Sequence, residues 1–91
     1  MNNKYFTIIT FYQFKIIIDK NHIITKLKDF CKFNKIKGTI LIADEGINGT
    51  IAGLEKNINS FILYLENFSF EKLNLKRSFK IKFLKTKIFK I

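Results

Sequence analysis

Apolar positions along this chain switch between a strand-like and a helix-like spacing, and each switch marks the edge of an element. Tyr5 to Phe14 is aromatic and β-branched almost throughout, with Phe6, Ile8, Ile9 and Phe11 supplying apolar side chains to both faces. Near-continuous hydrophobicity of that kind predicts a central strand. Lys15 to Ile18 continues it or turns, and Asp19, Lys20 and Asn21 break the pattern. Asn21 is the expected N-cap, because its side-chain oxygen can accept from the free amides of a first helical turn. From His22 to about Asn34, Ile23, Ile24, Leu27, Phe30 and Cys31 recur three and four residues apart, while Lys26, Lys28, Asp29 and Lys32 take the other side. That spacing predicts an amphipathic helix with one buried stripe.

The next stretch, Lys37 to Gly53, holds all four glycines of the chain. Two β-branched runs, Thr39 to Ala43 and Ile47 to Ala52, flank Asp44, Glu45, Gly46, Asn48 and Gly49, which predicts two strands joined by a tight turn. Gly46 and Gly49 both accept positive φ and Asn48 tolerates the left-handed region, so the turn is open between the two places. A second helix is read from Leu54, Ile58, Phe61, Ile62, Leu65 and Phe68, with Glu55, Lys56, Asn59, Ser60 and Glu66 on the wet side. Ser69 to Lys76 is less periodic and reads as a connection with a short extended piece at Phe70 to Leu75. A last strand opens at Phe79, where Phe79, Ile81 and Phe83 alternate with Lys80 and Lys82. The phase slips at Leu84, which predicts a bulge or the end of pairing there.

Strand, helix, strand, strand, helix, strand is the order of an α+β, ferredoxin-like βαββαβ domain, a four-stranded antiparallel sheet with two helices on one face. The first and third strands then lie in the centre, the second and fourth at the edges, and each crossover is expected to be right-handed. The other face of the sheet carries no helix and meets either water or another domain.

The glycine-rich stretch also carries a resemblance. Gly38-Thr39-Ile40-Leu41-Ile42-Ala43, then Glu45-Gly46-Ile47-Asn48-Gly49-Thr50 and Gly53, resembles the signature of the N-terminal domain of the rhodanese-related tRNA uridine hydroxylases. The similarity extends in order to the aromatic strand Phe11-Tyr12-Gln13-Phe14, both helices and the last strand. It implies an acylphosphatase-like domain of ferredoxin-like topology. In that family such a domain precedes a rhodanese domain, and the whole enzyme converts the wobble uridine of certain tRNAs to 5-hydroxyuridine using oxygen. The family's active-site cysteine belongs to the rhodanese domain, and residues 1–91 read as one domain with the rhodanese domain absent.

Charge sharpens this picture. With 17 basic and 7 acidic residues among 91, the net charge is +10, a strong attraction for polyanions. Sixteen of the basic residues are lysine, in a chain without proline or tryptophan, which an AT-biased genome also produces through codon usage. No acidic residue follows Glu71, so the last strand and tail form a basic run. Lysine on an edge strand also discourages pairing with other chains. At 47% hydrophobic and 26% charged residues the composition is that of a folding domain. No apolar run is long enough to span a bilayer and the N-terminus lacks a signal-peptide core, so no membrane association and a cytoplasmic address are expected.

Little in the sequence offers catalysis. Asp44 and Glu45 are adjacent, and neighbours in a strand point to opposite faces, so a structural role in the turn is expected. His22 has no catalytic partner nearby, and Cys31 on the apolar stripe is expected to be an inert thiol with a raised pKa. An acylphosphatase would need an arginine in its phosphate loop, yet the one arginine is Arg77. Base-stacking of the RNA-recognition-motif kind needs aromatics on central strands, which Lys37-Gly38-Thr39-Ile40-Leu41 lacks. No catalytic residue, metal ligand or cofactor is therefore assigned. The expectation is a recognition or scaffold domain that binds tRNA backbone through Lys80, Lys82, Lys85 and Lys87. The family-signature hairpin is Glu45, Gly46, Ile47, Asn48 and Gly49. The alternatives are a module docking a separate rhodanese-domain protein, or a nonfunctional truncated remnant.

Overall fold

The computed structural model describes residues 5–81. It forms β1 (Tyr5–Phe14), α1 (Lys20–Phe33), β2 (Lys37–Ala43), β3 (Gly46–Leu54), α2 (Glu55–Glu66) and β4 (Asn74–Ile81). The strands make one sheet in the order β2-β3-β1-β4, every neighbouring pair antiparallel. This is the ferredoxin-like arrangement, with β1 and β3 inside and β2 and β4 at the edges.

Alternation along β1 sorts its side chains. Thr7, Ile9 and Phe11 are buried toward the helices, and Ile47 and Ile51 of β3 join them. The stripes Ile23, Leu27 and Cys31 of α1 and Ile58, Phe61 and Leu65 of α2 close over this layer. Phe61 sits at the centre, its ring 5.7 Å from Phe11 of β1 and 6.1 Å from Phe30 of α1. Phe30 in turn stacks on Tyr64 at 4.3 Å, so three elements meet through aromatic contacts.

Several boundaries differ from the sequence pattern. The N-cap of α1 is Asp19 and not Asn21; its carboxylate accepts from the His22 amide at 3.4 Å, and the helix already includes Asn21. Both residue types cap well, and the choice follows from where the chain leaves the sheet. Both helices end without glycine. Lys35 and Ser69 take the left-handed conformation (φ 54° and 69°), while Ile36 and Phe70 donate back to the carbonyls of Cys31 and Leu65. This six-to-one closure is the Schellman arrangement.

The hairpin turn consists of Asp44 and Glu45, since Ala43 pairs with Gly46. Neither Gly46 nor Gly49 has positive φ; both are strand residues inside β3. Glycine is needed there for close approach. A Cβ on Gly46 would lie 2.5 Å from the Gln13 carbonyl oxygen, and one on Gly49 would lie 2.7 Å from that of Thr39. β4 starts at Asn74, five residues before Phe79, because its backbone pairs with β1 from Tyr12↔Asn74 onward. As an edge strand it gains those hydrogen bonds without needing an alternating apolar face. The bulge expected near Leu84, and Lys82, Lys85 and Lys87, lie outside the described residues.

Candidate nucleic-acid interface

The sheet face opposite the helices is assembled from residues in register across the strands. Thr39, Thr50, Thr10 and Lys76 form one row, and Leu41, Asn48, Tyr12 and Asn74 form the next. Phe14 and Ala43 flank Gly46 at the hairpin end, and Lys37 lies across from Ala52 toward the other end. The Thr10 and Thr50 hydroxyls are 3.3 Å apart, which ties the two central strands together on this face. Tyr12 and Phe14 are 5.6 Å apart, edge to face, and are 44% and 80% exposed. Beside them Asn48, Thr50, Glu45 and Gly46 help line an open groove of about 480 Å³.

Charge is segregated by the topology. All seven acidic residues lie off the strands: Asp19 at the cap, Asp29 in α1, Asp44 and Glu45 in the turn, Glu55 and Glu66 in α2, and Glu71 before β4. The strands carry Lys37, Lys76, Arg77 and Lys80 with no carboxylate among them. Of the lysines predicted from sequence to bind RNA, Lys80 is in β4, its backbone paired with Phe6. The aromatic face escaped the sequence reading, which looked for aromatics in residues 37–41; β2 there is an edge strand. The signal was the alternate positions Phe6, Tyr12 and Phe14 of β1.

The signature hairpin is arranged as a fold element. Asp44 and Glu45 are exposed, and their carbonyls accept from Ile17 and Lys15 amides, both at 2.9 Å. Asp44 also pairs with Lys20 at 2.8 Å, an exposed contact worth ~0–1 kcal/mol. The turn therefore holds the β1–α1 segment in place. Ile47 is buried in the core, whereas Asn48 is exposed on the open face.

A family model described as the UPF0176 acylphosphatase-like domain matches residues 6–90. The chain belongs to this family. Among curated relatives, the tRNA uridine(34) hydroxylase of Ehrlichia ruminantium is 41% identical over 61 residues, which is 67% of this chain and 22% of that protein. The protein of the same name from Prochlorococcus marinus strain NATL1A is 47% identical over 64 residues, 68% of this chain and 20% of its own length. That of Staphylococcus haemolyticus is 31% identical over 62 residues. The chain spans about a fifth of the length of the curated relatives it matches.

In this UPF0176 acylphosphatase-like domain the first strand-to-helix segment does not form an anion cradle. The Lys15 and Ile17 amides are engaged by the hairpin turn, and Arg77 on β4 donates to the Asn59 side chain at 3.2 Å. His22 is exposed and packs edge-on to Phe68 at 6.4 Å. Among the described residues no helix is long and apolar enough to cross a membrane.

Cys31 is buried beneath α1, and burial pushes its thiol from 9.0 up to about 12. It is expected to resist iodoacetamide at pH 8 while the chain is folded and to react fully in urea. Because only the unfolded thiol ionises between pH 9 and 12, folding stability should fall as pH rises through that window. Urea midpoints for the natural chain and Cys31→Ala at pH 8 and pH 10.5 test the sign; an equal decline in both would remove the thiol as its source.

Proposed function

We propose that this chain is the tRNA-recognition or scaffold domain of a wobble-uridine 5-hydroxylase and does not catalyse by itself. The observation that carries the reading is the match to a fifth of tRNA uridine(34) hydroxylases, in a chain of net charge +10. Lys80, Lys82, Lys85 and Lys87 supply phosphate contacts that position the tRNA, and a rhodanese domain supplies the chemistry. The site of action in this reading is the cytoplasm.

The test is the affinity of the purified chain for unmodified tRNA and for duplex DNA of similar length across a salt series. Tighter tRNA binding with a steep salt slope is expected, and neutralising each of the four lysines should lower that slope by about one. Equal affinity for both polymers would reduce the chain to a polycation. Absence of binding near physiological salt would sink the reading.

One observation favours the docking module as a second reading. Ile16 and Ile18, between β1 and α1, are 80% and 91% exposed, an apolar tip suited to a protein partner. Native co-purification of a rhodanese-domain protein that is lost in Ile16→Ser/Ile18→Ser would support it.

A further inference from the structure

We infer that the open sheet face is a binding surface for unpaired nucleobases, with Tyr12 and Phe14 as the stacking platform and Lys37 and Lys76 as phosphate contacts. The inference rests on the tRNA-recognition reading and names the surface and the form of RNA that it takes.

Four observations converge on it. Tyr12 and Phe14 leave exposed rings on one edge of a groove of about 480 Å³, where flat apolar ligands would gain contact area. Asn48 and Thr50 line that groove, and Asn48 lies directly across from Tyr12. An amide carries both donors and acceptors, which suits the hydrogen-bonding edges of bases better than a purely apolar partner. Lys76 is in the row next to Tyr12, about 7 Å along the strand, and Lys37 is exposed on the far edge. The strands hold no carboxylate, and the cations of this face lie on its two edge strands, Lys37 in β2 and Lys76 in β4; the nearest acids, Asp44 and Glu45, are at the hairpin tip, where Glu45 borders the groove.

Together these are the parts of a single-strand binding surface: aromatic planes that accept any base and a positive frame that tracks the backbone. Duplex RNA cannot use it, because its bases are already stacked and its edges are paired. The face therefore selects loops over stems. It acts alongside the lysines near the end of the chain, which would hold phosphates without regard to pairing.

The experiment compares an end-labelled ten-nucleotide single-stranded RNA with a duplex RNA of matched charge, by fluorescence anisotropy across a salt series. The variants are Tyr12→Ala/Phe14→Ala, Lys37→Gln/Lys76→Gln, and Phe33→Ala as an exposed aromatic control from the end of α1, with circular dichroism to confirm folding. Stacking on the face predicts that the aromatic pair loses tenfold or more in single-strand affinity at an unchanged salt slope. Duplex binding should stay within about twofold of the natural chain, and Phe33→Ala should bind both RNAs normally. The lysine pair should lower the single-strand slope by about 1.4.

Undiminished single-strand binding by the folded aromatic variant would overturn the inference while leaving the tRNA-recognition reading intact. Absence of RNA binding by the natural chain would overturn both. If the natural chain binds no RNA, and the rhodanese part of a relative added in trans binds it but not the aromatic variant, the face is a protein-docking surface.

Discussion

Gly38→Ala should destabilise the fold by about 3 kcal/mol or more, a large share of the roughly 5–10 kcal/mol that holds a domain of this size together. Gly38 has φ +148°, where an L side chain is strained. A Cβ there would also run into the Thr50 carbonyl oxygen and Ile51 Cα of β3, backbone atoms that cannot rotate aside. Strain at φ contributes about 1–3 kcal/mol, and separating two paired strands adds a similar amount. Gly53→Ala is the internal comparison. Its Cβ would meet Ile36 Cγ1 at 3.3 Å, the Ile58 Cδ1 end at 3.6 Å and the Ile36 Cα at an ordinary 3.7 Å, with no positive φ. That substitution should cost less than about 1 kcal/mol, because side-chain ends can shift. Urea denaturation followed by circular dichroism measures both, and equal losses would refute the backbone argument.

Phe61→Ala should cost about 3–5 kcal/mol, since the ring is fully buried between Phe11 and Phe30 and its removal leaves a cavity at the junction of β1, α1 and α2. Phe61→Leu, which refills most of that volume, should cost about 1–2 kcal/mol. The same denaturation experiment separates the two, and a loss below about 1 kcal/mol for the alanine variant would mean that the aromatic junction is not the centre of the core. Leu63→Ala on the same helix, 63% exposed, should change stability by less than about 0.5 kcal/mol.

Most of the fold is written in local patterns. The three- and four-residue recurrence of Ile23, Ile24, Leu27, Phe30 and Cys31, and of Leu54, Ile58, Phe61, Ile62, Leu65 and Phe68, predicts both stripes; Ile23, Leu27, Cys31, Ile58, Phe61 and Leu65 are buried, and the other five are half-buried at the margins. The near-continuous apolar run of β1 marks a central strand, which pairs on both sides. The element order already implies one open sheet face; what the run does not reveal is which of its side chains lie there. Phe6, Tyr12 and Phe14 belong to that run, yet they are substantially exposed because both helices lie on the opposite face. The candidate interface was therefore hidden inside a pattern that ordinarily signals burial.

The boundaries that moved share one cause. Lys35 and Ser69 supply left-handed helix ends where glycine is the readable signal, and both are held by carbonyls one turn back. β4 begins at Asn74 because β1 offers a row of backbone partners, with no apolar alternation to announce it. The hairpin turn falls on Asp44 and Glu45, and the glycines that seemed to mark it serve close packing of β3 against its neighbours.

By itself the sequence determined the element types, their order, the buried helix stripes, the excess positive charge and the family resemblance, because periodicity, composition and a glycine-rich signature are local properties. Tertiary structure alone decided which strand residues are exposed, why each glycine is needed, and how the strands collect cations while acids are left to the helices, turn and connections. Those properties depend on which backbones come together, and strands such as β1 and β3, forty residues apart in the chain, meet only when the sheet forms.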